Sequence, residues 1–467
     1  MTPAIPTTIP NRDTGTFVIE ANGTNFYVSI RFINDRGQSK TINKTEFSKV
    51  LFESVYTTPF VMGQLQLIEH EQQNKFKPAI GSNAVNTNYD FTGSGGEYLY
   101  ISIKQQINST KQLTILNKTF IVKNIIESTI GNTPMLNYYF ADADFGALSY
   151  IRLPWSTNNM QNESAQLNDV NRQVIVSDAI LNLLNTFCDR SNDNIINTDK
   201  WDPSITKTEY TLHANESPLN ALNDLMSKYI SKENNDMGLL LRHAGKYKLL
   251  SLNNIFKNES TPVASIRINI NDNRSNYTSN ETASYFRGKY QLIPVHISNV
   301  QFYPKNPDNA VDVIVNHSIS SYNTKTKSFN LYNNNGSVVN LKKTFNTVIS
   351  HLPASDTKEV DIDKTNVTLA NKNQKVIYEN SNNSQFLGKT TLQSKLINSA
   401  DRVSFDIPGN FFPQGGRFIG IEISGIPTNK FMKNVSGFWF VLQNTTTLTH
   451  NTFKTFLVSA KLDREKV

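Results

Sequence analysis

Cysteine is nearly absent. The single thiol, Cys188, excludes an intrachain disulfide framework, and its place in the apolar helical pattern "VSDAILNLLNTFCDR" predicts a buried, inert thiol. Histidine is scarce too, seven residues scattered singly along the chain. Charged residues make up 18%, and the Ala, Glu, Leu and Lys enrichment of a coiled coil or helical bundle is missing. No run of about 18 apolar residues occurs, so no transmembrane helix and no membrane insertion are expected. The opening "MTPAIPTTIPNRD" has neither the basic nor the apolar region of a signal peptide. A chain made and folded in a cytoplasm is the expectation, and the frequent Asn-x-Ser/Thr sequons read as composition.

At 467 residues the chain exceeds one ordinary domain. Hydrophobic residues reach 38% and aromatics 10%, enough for real cores. Asn, Ser and Thr do most of the solubilising, a mixture suited to turn-rich β structure because Asn tolerates left-handed turns. The net charge of +7 comes from 46 basic and 39 acidic residues, dispersed along the chain. Nucleic-acid sites need clustered Lys and Arg, so this reads as an ordinary solvated surface.

Residues 1–12, rich in Pro and Thr, read as an extended arm. From residue 16 the period is two, and Asn22-Gly23 between two runs predicts a hairpin. Further strands are expected at 50–56, 60–68, 97–104, 112–117 and 119–126, which together suggest a barrel or sandwich. The period then changes: Ile180, Leu183, Leu184 and Phe187 fall at helical spacing. A polar loop with Trp201 follows, and then a second helix. Ser217 is its N-cap and Pro218 its first residue, with Leu219, Leu222, Leu225, Met226, Tyr229 and Ile230 on one face. "MGLLLRH" and "KYKLLSL" read as strands around Ala244-Gly245. Strand-like pieces return at 264–270 and 294–303, separated by an exposed loop at 271–284. A connector at 350–366 and a helix near 383–399 precede four more strands, "RVSFDIPG", "RFIGIEISGI", "GFWFVLQ" and "TFKTFLVSAKLD".

Near-motifs fail on specific residues. "HEQQN" at 70–74 has Asn74 where a second zinc-ligating His would stand. "NSQFLGKTT" at 383–391 has Asn383 where a phosphate loop needs its first glycine. "GSGG" at 93–96 leads into a strand rather than a helix, so no helix N-terminus faces a phosphate. "DADFG" at 142–146 places Leu153 where a calcium loop needs Glu, and it reads as a surface turn. No Gly-x-Ser-x-Gly elbow occurs. No metal, cofactor or catalytic residue is assigned, and an enzyme is not expected, although a glycosidase-type carboxylate pair needs no local motif.

Four stretches, taken in order, resemble the baseplate (tail) hub proteins of contractile-tailed bacteriophages, relatives of the hubs of contractile injection systems. They are "LFESVYTTPFVMGQLQLIE" (51–69), the helix-hairpin unit at 215–256, "FDIPGNFFPQGGRFIGIEI" (405–423) and "SGFWFVLQNTTTLTHNTFKTFLVSAKLDRE" (436–465). Arg417 after Gly416 and the polar "VLQNTTTLTH" depart from the family pattern, and 257–400 contains no stretch that aligns. The resemblance implies a mainly β fold with an α+β middle module, bracketed by two similar β-barrel domains of the tail-tube/hub type. The expected division is an arm at 1–12, a first barrel at 13–160, the helix-hairpin module at 161–256, a β-rich insertion and connector at 257–370, and a second barrel at 371–467. It further implies a homotrimeric structural protein of the virion baseplate, assembled in the host cytoplasm. The trimer would join a hexameric tail tube protein to a trimeric spike protein, contact baseplate wedge proteins, and let DNA pass a central channel without specific binding. Asn22, Gly23, Ile407, Pro408, Gly409, Asn410, Phe411 and Phe412 are the interface candidates. Two other readings stay open. One is a different β-rich baseplate or fibre-attachment adaptor. The other is a carbohydrate-binding or glycan-degrading tail protein using Trp155, Trp201 and Trp439, residues more in keeping with a core.

Overall fold

The structure, a computed structural model, describes residues 15–21, 23–33, 39–68, 97–107, 111–130, 133–157, 173–188, 195–233, 236–243, 245–258, 263–269, 292–296, 300–303, 318–323, 328–333, 357–360, 374–379, 394, 397, 400–409, 411, 413–424 and 435–461. Several sequence expectations lie outside these residues: the N-terminal arm, Asn22, Asn410, Phe412, the loop at 271–284, most of the helix near 383–399, and the segments 70–74, 93–96 and 383–391.

Alternation builds the first strands. In β1 (Thr16–Ala21) every second residue, Phe17, Ile19 and Ala21, is buried, and β2 (Thr24–Ile33) returns antiparallel with Ala21 opposite Thr24. Gly23 makes the turn at φ +70°, the left-handed conformation a two-residue hairpin requires. The first β unit is completed by β3 (Ser39–Thr41), β4 (Phe47–Val55), β5 (Met62–Ile68), β6 (Tyr98–Gln106), β7 (Gln112–Ile130) and β8 (Thr133–Asp142). The runs at 112–117 and 119–126 are a single 19-residue strand, with a register shift between Val122 and Asn124.

The mixed middle follows: α1 (Ala143–Tyr150), β9 (Trp155–Ser156), β10 (Val174–Ile175), α2 (Val176–Cys188), β11 (Ile196–Trp201), β12 (Lys207–Thr208), β13 (Thr211–Leu212), α3 (Pro218–Lys228), β14 (Gly238–His243), β15 (Lys246–Ser251) and α4 (Leu252–Asn258). Ser217 caps α3 by accepting from the Asn220 N–H at 3.3 Å, and Pro218 occupies the first turn, where its missing N–H costs nothing. β14 and β15 form a hairpin that turns at Gly245, φ +81°. Trp201, expected in a polar loop, instead ends β11, which runs parallel to β15, and its indole N–H donates to the Ser177 carbonyl at 3.2 Å. Leu183, Leu184, Leu222, Leu225, Tyr229 and the buried Cys188 share one core.

The last strands are β16 (Ala264–Asn269), β17 (Leu292–His296), β18 (Gln301–Tyr303), β19 (Ser318–Asn323), β20 (Ser328–Asn333), β21 (Thr357–Val360), β22 (Gln374–Glu379), β23 (Arg402–Pro408), β24 (Phe418–Ser424), β25 (Gly437–Thr449) and β26 (Phe453–Ala460). β19 to β22 make a separate four-stranded sheet, while the others join the first unit in one sheet of 15 strands. The joint is β25. Its residues 437–440 pair with β24, and its residues 443–449 pair with β4. β26 lies along both parts, with Leu442 as an extra residue between the Val441 and Gln443 rungs. Ahead of this bulge Trp439 and Val441 enter the second unit's core; after it Leu448 enters the first unit's core. In a regular strand residues of one parity share a face. The extra residue shifts the parity, and both cores therefore lie on one side of the joined sheet. The fold is mainly β with an α+β middle, as patterning predicts.

Candidate functional site

A buried charge cluster marks the place where the two β units and the middle module touch. Asp142 ends β8 and Asp144 lies in the first turn of α1. Strand passes directly into helix, so both carboxylates turn inward, at 0% and 2% exposure. This corrects the reading of "DADFG" as a surface turn: the carboxylates are buried because cations from distant strands meet them. Lys118 of β7 places Nζ 2.5 Å from Asp142 Oδ1. Arg242 of β14 reaches Asp142 Oδ2 at 3.5 Å and Asp144 Oδ2 at 2.7 Å. The Val61 N–H donates to Asp142 Oδ2 at 3.0 Å, and Tyr247 Oη donates to Asp144 Oδ2 at 2.9 Å. Arg242 and Tyr247 stand opposite each other in the β14–β15 hairpin, with the guanidinium 5.0 Å from the ring centroid.

The electrostatics follow from the burial of the two carboxylates. Burial holds the Lys118 ammonium below the ordinary lysine value, against the pull of Asp142. Burial also pushes the Tyr247 hydroxyl well up, with Arg242 opposing and Asp144 adding. Burial works against the Arg242 charge as well, but Tyr247, Asp144 and Asp142 outweigh it and hold the guanidinium above its usual range. Each carboxylate has a cation in contact. Chemically the arrangement is a clamp, because removing one charge leaves its partner stranded away from water.

The hairpin also works as a wedge. Leu240, Tyr247 and Leu249 belong to the middle core, whereas Leu239, Leu241 and Leu250 pack with Tyr56, Phe418 and Phe440 in another. Beside it a cleft of about 310 Å³ is lined from all three parts, by Ser54, Val61, Lys118, Arg242, Gln414 and Gly415. The Gly415 N–H donates to Ser54 Oγ at 3.2 Å. A Cβ on Gly415 would stand 2.3 Å from the Tyr56 nitrogen, so this turn lies directly on the end of β4. Among the described residues no three or more His, Cys, Asp or Glu are grouped to hold a metal ion, and no helix is long and apolar enough to cross a membrane.

The sequence-derived candidates fall elsewhere. Gly23 lies at the β1–β2 turn, with nothing within 4 Å of where a Cβ would stand. Ile407 is in the second core at 2% exposure, and Pro408 ends β23. The Gly409 N–H donates to the Phe453 carbonyl at 2.9 Å, and Phe411 packs against Phe52 and Phe453 at ring distances of 5.3 and 6.0 Å. Ile407, Pro408, Gly409 and Phe411 thus come together at the joint of the two β units. The clamp itself was missed. Two signals pointed to it: an acidic pair flanked by apolar residues, and a hairpin with Arg and Tyr in facing positions. Trp155 and Trp439 are buried at 5% and 0% exposure, and Trp201 packs against the middle core.

No family model and no curated protein sequence matches the chain. Solved structures do. The chain is similar to a tail protein from Neisseria meningitidis, with a TM-score of 0.47 and 10% identity over 93% of this chain and 96% of that one. It is similar to the 43 kDa tail protein of a Shewanella oneidensis prophage, with a TM-score of 0.43 and 7% identity over 92% and 97%. A third is an Escherichia coli component of the type VI secretion system that has structural similarity to T4 bacteriophage tail proteins. Its TM-score is 0.40, with 6% identity over 90% of this chain and 74% of that one.

Proposed function

We propose that the chain is a subunit of a baseplate (tail) hub, three copies of which close into a ring between a hexameric tail tube and a trimeric spike. The observation that carries this reading is the joint at β25. One strand serves both β units and sets their cores on the same side of one sheet, so each chain offers two lobes at a fixed spacing. Three chains then present six lobes to a six-fold tube and keep the three-fold symmetry a trimeric spike needs. The four family-like stretches, in family order, support the same reading. In it, similar barrels within 13–160 and 371–467 flank the α+β module at 161–256 and the β-rich segment at 257–370. Wedge proteins contact the ring from outside, and DNA passes the channel without specific binding.

The work of such a hub is mechanical rather than catalytic: it adapts symmetry, seals the tube and lets the spike go on contraction. The Lys118–Asp142–Arg242–Asp144 clamp and the wedge hairpin hold the lobes in place under that load. Subunit contacts use the Asn22-Gly23 turn and the segment 407–412. Single-particle electron microscopy with light scattering tests this. A three-subunit ring with six lobes around a channel is expected. A stable monomer at concentrations far above those of assembly would replace the hub by a fibre-attachment or wedge adaptor.

A further inference from the structure

The cleft beside the clamp is uneven in charge. Lys118, Asp142 and Arg242 all line it, but they do not reach its surface equally. The Asp142 side chain has no exposure, whereas Lys118 keeps 31% and Arg242 17%. Among the described residues that line the cleft, Asp142 is the one carboxylate. An incoming group therefore meets a cationic surface, although the two cations and two carboxylates behind it balance.

The neutral walls add donors. Ser54 Oγ accepts the Gly415 N–H at 3.2 Å, and Thr58 Oγ1 accepts the Phe60 N–H at 3.4 Å. A hydroxyl whose oxygen is engaged in this way still has its own hydrogen to give. Lys118 Nζ has three hydrogens, and Asp142 takes one. Burial holds that ammonium below the ordinary lysine value in spite of Asp142, so one carboxylate does not offset its loss of water. A second anion entering from the open side would.

The groups already in use decide which anion fits. Both terminal nitrogens of Arg242 are engaged, by Asp142 and Asp144, and its Nε donates to the Gly245 carbonyl at 3.4 Å. No fork remains for the paired oxygens of a phosphate. The two buried carboxylates repel any further negative charge, which favours an occupant with one such charge over a dianion. Val61 and Leu241 supply apolar wall for a short aliphatic stem, and about 310 Å³ stands at the small end of ligand pockets.

We propose that this cleft is a carboxylate-binding site, taking one carboxylate on a short aliphatic stem beside Lys118, Ser54 and Thr58. A glutamate side chain of a docking protein presents such a group, and so does a free short-chain acid. The site is built from one chain, so it stands apart from the ring reading. Its walls come from both β units and the wedge hairpin, and an occupant ties the three together.

The test uses the full-length protein and follows acetylation of Lys118 by an N-hydroxysuccinimide ester, read by peptide mass spectrometry at constant ionic strength. The probes are acetyl-glutamate amide, butyrate, the uncharged acetyl-glutamine amide, and inorganic phosphate. Acetyl-glutamate amide should slow labelling of Lys118 in proportion to the sites it fills, about fivefold at about four times its dissociation constant. The exposed Lys44 should label at an unchanged rate, and acetyl-glutamine amide should protect nothing. Protection by acetyl-glutamate amide at lower concentration than butyrate assigns the occupant to a protein side chain; the reverse assigns a free acid. Gln414→Glu sets a carboxylate on the cleft wall, so it should slow labelling without any probe and abolish further protection. Equal protection by the uncharged amide, stronger protection by phosphate, or none by either acid overturns the site. A Lys118 that never reacts is closed to small molecules, which overturns it too. None of these outcomes depends on whether the chains form a trimer.

Discussion

Asp142 shows what a single buried charge does here. It has no exposure, and two cations from different strands converge on it. Asp142→Ala removes the negative charge and leaves Lys118 and Arg242 facing each other at the side of the cleft. Breaking a buried pair in this way costs about 3–5 kcal/mol, and the midpoint of urea unfolding should fall accordingly. An unchanged midpoint would mean that water reaches the cluster and screens it. On the alkaline side the tyrosines set the trend. Burial, with Asp224 and Glu216 adding, raises the Tyr210 hydroxyl from 10.0 to about 12, and burial likewise raises Tyr229 and Tyr247. Above pH 10 the unfolded chain loses these protons while the folded chain keeps them, so stability falls as pH rises. Lys118 and Lys123 pull the other way: their lowered values relieve a cost as pH climbs toward 10.5. Burial raises Tyr150 as well, and four tyrosines against two lysines give a net loss. Tyr210→Phe should leave the melting temperature near neutrality almost unchanged and flatten its decline between pH 10 and about 12, read by calorimetry across that range. The cluster was hard to read from sequence because its members are far apart in the chain: Tyr247 is 103 positions from Asp144.

Local signals fared better at the level of elements. The β1–β2 turn, the Ser217-Pro218 start of α3 and the β14–β15 hairpin were all legible, because each is decided by residues within a few positions. β25 was legible only to Gln443. Its remainder, "NTTTLT", looks like a loop by composition, yet Thr446 is fully buried and shares a hydrogen bond with Thr455 at 2.8 Å. Polar residues read as exposed unless their partners are known. The bulge at Leu442 was invisible for the same reason, since it exists only relative to β26. Deleting Leu442 therefore tests the bulge alone. Gln443 would follow Val441 directly, keeping the rungs to β26 and the core side of Thr446 and Leu448. The Leu442 carbonyl, which accepts from the Tyr56 N–H, would be lost. The deletion variant is expected to stay folded with a lower urea midpoint than Leu442→Ala, which keeps the bulge. An insoluble deletion variant, or one without near-ultraviolet circular dichroism, would show that the bulge itself is needed to seat both cores.

Across the whole molecule, the joint couples parts of the chain that no local pattern connects. Gln443 Nε2 donates to Glu53 Oε1 at 2.6 Å across 390 positions, and Leu448 and Phe453, from the last strands, complete the core of the first β unit. Neither β unit can lose β25 and β26 without opening both cores, so the two should unfold in one transition rather than in sequence. Trp439 reports on the second core, where it is fully buried with its indole N–H bonded to the Val435 carbonyl at 2.8 Å. Leu448 lies in the first core. In a background with Trp155→Phe and Trp201→Phe, Trp439 is the remaining indole, and Leu448→Ala removes a buried side chain worth about 2–5 kcal/mol. If the joint couples the units, the Trp439 fluorescence transition moves down in temperature together with the far-ultraviolet signal, although the mutated side chain belongs to the other core. If the Trp439 transition stays put while the far-ultraviolet signal splits, the units unfold separately. The lobes would then be beads on a linker rather than a plate, too loosely held to keep a fixed spacing against a tail tube.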